Sequence, residues 1–136
     1  MISFNYENDF KLPNETKISN WISLVIKTEG CKEGEINYIF CNDDYLLKLN
    51  KDFLNHDTLT DIISFDYSIG KNLQGDVFIS TQRVEDNAKD FNVSFKTELH
   101  RVIVHGVLHY CGYKDKTKED AKVMREKENF YINTLI

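Results

Sequence analysis

Residues 98–115 read ELHRVIVHGVLHYCGYKD. Val102, Ile103, Val104, Val107, Leu108 and Cys111 cover most of a helical circumference, so this spacing predicts a buried helix. It runs from about Ser94 to Cys111 and stops at Gly112, a residue able to take the left-handed conformation that ends a helix. One polar stripe crosses the apolar surface: Glu98, Arg101, His105 and His109.

Working outward from this helix, Met1–Tyr6 reads as a short first strand. Pro13-Asn14 opens a helix in which Ile18, Trp21/Ile22 and Val25/Ile26 recur at helical spacing, with Gly30 as its C-cap. Ile36, Tyr38 and Phe40 alternate as in a strand, and Asn42 or Asp43 caps a helix carrying Leu46, Leu49 and Phe53. Ile63, Phe65 and Tyr67 are in phase. A loop with Gly70 and Gly75 follows, then Val77-Phe78-Ile79, which together predict a hairpin. Ser80 caps a helix with Val84, Ala88 and Phe91 on one face, and Phe53, Phe65 and Tyr67 are expected in the core. Downstream of the central helix, Thr117 and Asp120 form a capping-box pair before a last helix that buries Ala121, Met124, Tyr131 and Leu135. About five helices and four strands in mixed order make an α+β fold, expected as a single domain over residues 1–136.

Composition narrows the class of protein. The 136 residues include 17 aromatics, six Gly and one Pro, which excludes collagen-like, linker-rich and disordered chains. The net charge of −5 argues against a general nucleic-acid coat, because phosphate binding is normally driven by cationic surface. It leaves room for a local site built on a metal and a few basic side chains. Cys31, Cys41 and Cys111 form no CxxC, and no stretch approaches the ~18 apolar residues of a membrane span. The expected location is the cytoplasm, with no membrane partner and no dinucleotide.

The stripe carries the chemistry. His105 and His109 stand at i and i+4, which places both rings on one face with Cβ atoms about 5–6 Å apart. Neutral imidazole is a favoured ligand of divalent zinc. After the Gly112 turn, Asp115 returns toward the helix end, completing H-x3-H-x5-D. Three protein ligands with one vertex left for water is the arrangement of a catalytic zinc site. The alternative is two core histidines satisfied by hydrogen bonds. Two on one face of an apolar helix, followed by a turn and an acid, point instead to metal. A zinc peptidase of the H-E-x-x-H type would need Glu at position 106, where this chain has Gly106.

HGVLHYCGYKD (105–115) resembles the H-G-x-L-H-x-x-G-Y-D-H motif of the YbeY family of metal-dependent endoribonucleases. Leu49-Asn50, Thr60-Asp61-Ile62-Ile63-Ser64-Phe65 and Gly75-Asp76-Val77-Phe78-Ile79-Ser80 are similar to further family motifs in the same order. The resemblance implies a zincin-like fold and one zinc ion. It also implies single-stranded RNA as substrate, a role in processing the 3′ end of small-subunit ribosomal RNA, and ribosome quality control. Ribosomal RNA and the small subunit or its assembly factors would be the partners.

Carried across by residue, His105 and His109 match the first two ligands, and Asp115 stands where the family has a third His. Leu54 and His56 stand where the family often has Arg and Lys, so Arg101, Lys51 and Arg83 are the replacement candidates for phosphate. Thr60, Asp61 and Ser64, with Arg101, are the candidate cleft or substrate-binding residues. The competing functions are a metal-dependent hydrolase of another substrate, a non-haem iron oxygenase, and a non-catalytic ribosome-biogenesis factor with a structural metal.

Overall fold

The computed structural model describes residues 1–56 and 58–135. The order of elements is β1 (Ile2–Tyr6), α1 (Glu15–Thr28), β2 (Lys32–Cys41), α2 (Asp43–Leu54), β3 (Ile62–Asp66), β4 (Asn72–Ser80), α3 (Thr81–Asp90), α4 (Phe95–Tyr110) and α5 (Lys118–Thr134). The strands form one mixed sheet in the order β1-β2-β4-β3. β1 and β4 run parallel to β2, and β3 pairs antiparallel with β4 as the expected hairpin.

The sheet is covered on both faces. Ile36, Tyr38 and Phe40 of β2, with Leu73, Val77 and Ile79 of β4, alternate onto one face. There they meet Ile22, Val25 and Ile26 of α1 and Ile103, Val107 and Leu108 of α4. Burying each such side chain is worth roughly 1.5–3 kcal/mol. A smaller cluster of Cys41, Leu46 and Ile63, with Leu49, Phe65 and Phe78 against it, includes residues of α2, β3 and β4. α5 packs on α4, and Trp21 of α1 donates its indole N–H to the Tyr131 carbonyl at 2.9 Å.

Two tyrosines fasten α4 to the sheet. The buried Tyr38 hydroxyl donates to the Ile103 carbonyl at 2.9 Å. Tyr110, in the last turn, donates to the carbonyls of Phe65 (2.9 Å) and Asp76 (3.2 Å). Gly75 makes room for that ring: a Cβ there would collide with the Tyr110 hydroxyl and the Phe65 carbonyl.

Ser80 and Thr117 cap their helices as expected and Ser94 is a further cap, whereas Asn42 stands at the α2 N-cap without a side-chain hydrogen bond. Ser80 accepts from the Arg83 amide at 3.2 Å, Ser94 from Thr97 at 3.1 Å and Thr117 from Asp120 at 3.0 Å. Several local expectations change. Gly75 lies within β4, which begins at Asn72, because the hairpin turns earlier, around Ile69–Asn72. Phe53 (67% exposed) and Tyr67 (59% exposed) lie outside the core, as do Phe91 and Ala121. Tyr67 follows the last residue of β3, and Phe53 leans edge-on against Phe65 from outside. Cys111 is half-buried at the α4 C-cap. Among the described residues, no helix is long and apolar enough to cross a membrane.

Candidate metal centre

α4 is apolar on the sides that meet the sheet and α1, and its polar stripe faces an open cleft of about 540 Å³. His105 and His109 reach the cleft from successive turns, with ring centroids 4.5 Å apart and planes at 85°. The helix ends because Gly112 adopts φ +106°, a region that side chains strain to enter. The Gly112 amide then donates to His109 O (3.0 Å) and the Tyr113 amide to Leu108 O (3.1 Å), closing the turn.

The returning segment is clasped from below. Tyr113 donates to Glu29 Oε1 at 2.6 Å, and Tyr131 and Lys127 of α5 also hold Glu29. Burial opposes ionisation of Glu29, but these three partners outweigh it and hold the carboxyl below its ordinary range. Two residues beyond Tyr113, Asp115 swings back to the histidines.

The donor atoms converge. His105 Nε2 and His109 Nε2 are 3.0 Å apart, and Asp115 Oδ2 lies 3.3 Å from the first and 3.5 Å from the second. A tetrahedral ion with ligand distances of ~2.0–2.1 Å needs donors about 3.3 Å apart, so these separations suit such an ion. Two imidazoles and one carboxylate are also a donor set that zinc accepts. Among the described residues, this trio is the group of His, Cys and acidic side chains placed to share an ion.

Glu128, on α5, orients the centre. It is 4% exposed, and its Oε2 accepts from His105 Nδ1 at 2.6 Å while its Oε1 accepts from Arg101 Nη1 at 3.0 Å. A proton held on Nδ1 leaves the Nε2 lone pair aimed at the cluster. Burial would lower the His105 pKa, but the hydrogen bond and charge of Glu128, with Asp115 and Asp61, hold it above the ordinary value.

All the other residues expected at the site also line this cleft: Thr60, Asp61, Ser64 and Arg101. Burial pushes the Asp61 carboxyl up, against the pull of His105 and hydrogen bonds that include one from Asn87. Glu98, deep in the cleft, is raised by burial and then by the Asp61 charge. Lys51 and Arg83 are not among the lining residues. Among the described residues, four carboxylates (Asp61, Glu98, Asp115, Glu128) face two guanidiniums (Arg101, Arg125), an excess of two negative charges when all are ionised. A divalent cation balances that excess.

Glu128, Glu29 and Arg125 are the residues that sequence reasoning missed. One signal was available for Glu128. It falls between Met124 and Tyr131 on the buried stripe of α5, where an acid must find a partner.

A family model described as Endoribonuclease YbeY matches residues 3–136. The Endoribonuclease YbeY of Flavobacterium johnsoniae is 64% identical over 129 residues, covering 95% of this chain and 93% of the relative. That of Christiangramia forsetii is 53% identical, covering 93% and 89%. The solution structure of TM1509 from Thermotoga maritima superposes with a TM-score of 0.71 at 27% identity, covering 99% of this chain and 89% of that one.

Proposed function

The chain belongs to the YbeY endoribonuclease family, and from that premise we propose that it is a zinc-dependent endoribonuclease of single-stranded RNA. In this reading residues 1–136 act as one domain in the cytoplasm. They mature the 3′ end of small-subunit ribosomal RNA and take part in ribosome quality control, with the small subunit or its assembly factors as partner. What supports the reading is the convergence of His105 Nε2, His109 Nε2 and Asp115 Oδ2 within an open cleft.

His105, His109 and Asp115 would hold the ion. When bound, zinc supplies Lewis acidity toward a phosphoryl oxygen and lowers the pKa of water. The protein contributes orientation and charge. Glu128 keeps a proton on His105 Nδ1, and Arg101 holds Glu128 in turn. The Glu29 clasp keeps Tyr113, and through it Asp115, against the helix end. Thr60, Asp61 and Ser64 form the wall contributed by β3 and the segment before it, where the substrate backbone would lie.

The test is cleavage by zinc-loaded protein of a single-stranded RNA, the same RNA annealed to its complement, and bis(p-nitrophenyl) phosphate. His109→Ala is assayed beside it to expose contaminating nuclease. Cleavage confined to the single strand and lost in the variant is expected. Preference for the small ester, or equal activity in the variant, would overturn the reading.

A further inference from the structure

The two guanidiniums in the cleft wall are not equivalent. Arg101 is 18% exposed and is engaged by Glu128 at 3.0 Å, inside the group that orients His105. Arg125 is 56% exposed and lies 3.9 Å from the same Glu128 oxygen, beyond hydrogen-bonding range. The closer contacts of Glu128 go elsewhere, Oε1 to Arg101 at 3.0 Å and Oε2 to His105 at 2.6 Å.

Position reinforces the contrast. Arg125 sits on α5 one turn before Glu128, which itself touches His105, so its charge is delivered beside the His–His–Asp cluster. Glu98, raised chiefly by burial, is partly offset by Arg101 and Arg125, so the Arg125 charge reaches into the cleft. An RNA phosphate entering past these carboxylates needs a cation that is exposed and only loosely held by its acidic neighbour, as Arg125 is. Arg83 does not meet that need: it lies outside the cleft lining and pairs with Asp43 at 2.8 Å and Asp86 at 3.4 Å.

Resting on the endoribonuclease reading above, we infer that Arg125 binds a backbone phosphate of the RNA beside the metal centre, while Arg101 is a positioning residue. The guanidinium fork suits this task, since it meets two phosphate oxygens with parallel donors.

The experiment follows kcat/KM for a fluorogenic single-stranded RNA against salt concentration. It compares zinc-loaded wild type, Arg125→Ala, Arg125→Lys and Lys122→Ala, an exposed residue on the same helix outside the cleft lining. Zinc content is measured on every sample. For Arg125→Ala the expected result is a rise in KM of about tenfold or less at low salt. The slope of log kcat/KM against log salt should become shallower by about 0.7, the contribution of one phosphate contact on a single strand. Arg125→Lys should recover the slope and Lys122→Ala should leave it unchanged.

An unaltered slope in Arg125→Ala, an equal change in Lys122→Ala, or loss of zinc with Arg125→Ala would overturn the assignment while leaving the endoribonuclease reading intact. Wild-type protein that holds zinc and cleaves no RNA would overturn both.

Discussion

His100 and His105 lie five residues apart on α4, and the fold treats them in opposite ways. The His100 ring packs 5.8 Å from Trp21, where burial first, and then the charges of Lys96 and Lys17, lower its pKa to about 4. Burial acts in the same direction on His105. There Glu128 reverses the balance and keeps the pKa above its ordinary value. One helix thus carries a histidine kept neutral by apolar packing and a histidine held by a carboxylate from another helix. The residue type says that a proton or a metal is available; the neighbours decide which use is made of it.

The largest expected effect comes from exchanging the two by mutation. His105→Ala should abolish zinc retention, read by elemental analysis, and lower RNA cleavage at least ~100-fold. His100→Ala should keep both within about threefold, since its partners lie outside the cleft. Comparable zinc loss in both variants would break the comparison.

Next in size is removal of the partner that sets His105 apart. Glu128→Ala should weaken zinc binding ~10–100-fold in a chelator competition. It also strands the partly buried Arg101, at a cost of roughly 3 kcal/mol in chemical denaturation. Glu128→Gln keeps an acceptor for the Nδ1 proton and should recover most of the affinity.

A smaller effect separates the two histidines by pH in metal-free protein. His100 has a folded pKa of about 4, below the unfolded value of ~6.5. Its contribution to stability is therefore complete above the unfolded value and is lost as pH falls toward the folded one. His105 is raised, so its contribution is complete below the ordinary value and is lost as pH rises through its folded pKa. Urea titrations from neutral to acid pH should show a smaller acid-side loss in His100→Gln than in wild type. The smallest change expected is from Asp115→His, which replaces one accepted zinc ligand by another. It should retain zinc, with affinity within about tenfold of wild type.

Much of this was readable along the chain. The strands, the five helices and the caps at Ser80 and Thr117 follow from local spacing and capping chemistry. Misreadings occurred where periodicity continued past the support of a neighbour. Tyr67 keeps the alternation of β3 but lies beyond its last paired residue, and Phe91 is the C-cap of α3 rather than part of its buried face. Gly75 looked like a turn residue because glycine favours turns. It is instead a strand glycine that clears space for Tyr110, a residue 35 positions away.

The His–His–Asp trio was legible for a different reason. The i, i+4 relation fixes two rings on one helix face whatever surrounds them, and a glycine stop followed at once by an acid keeps the third donor close. Arg101 lines the cleft as expected, but nothing along the chain signals that Glu128 engages it. Glu128 and Arg125 belong to α5 and Glu29 is the C-cap of α1, and their relation to the trio arises only when α1 and α5 pack beside α4. Local geometry was enough to specify donors and turn. Tertiary packing placed a carboxylate on His105 Nδ1 and held Arg101 more closely than Arg125, because long-range contacts carry no signature in residue spacing.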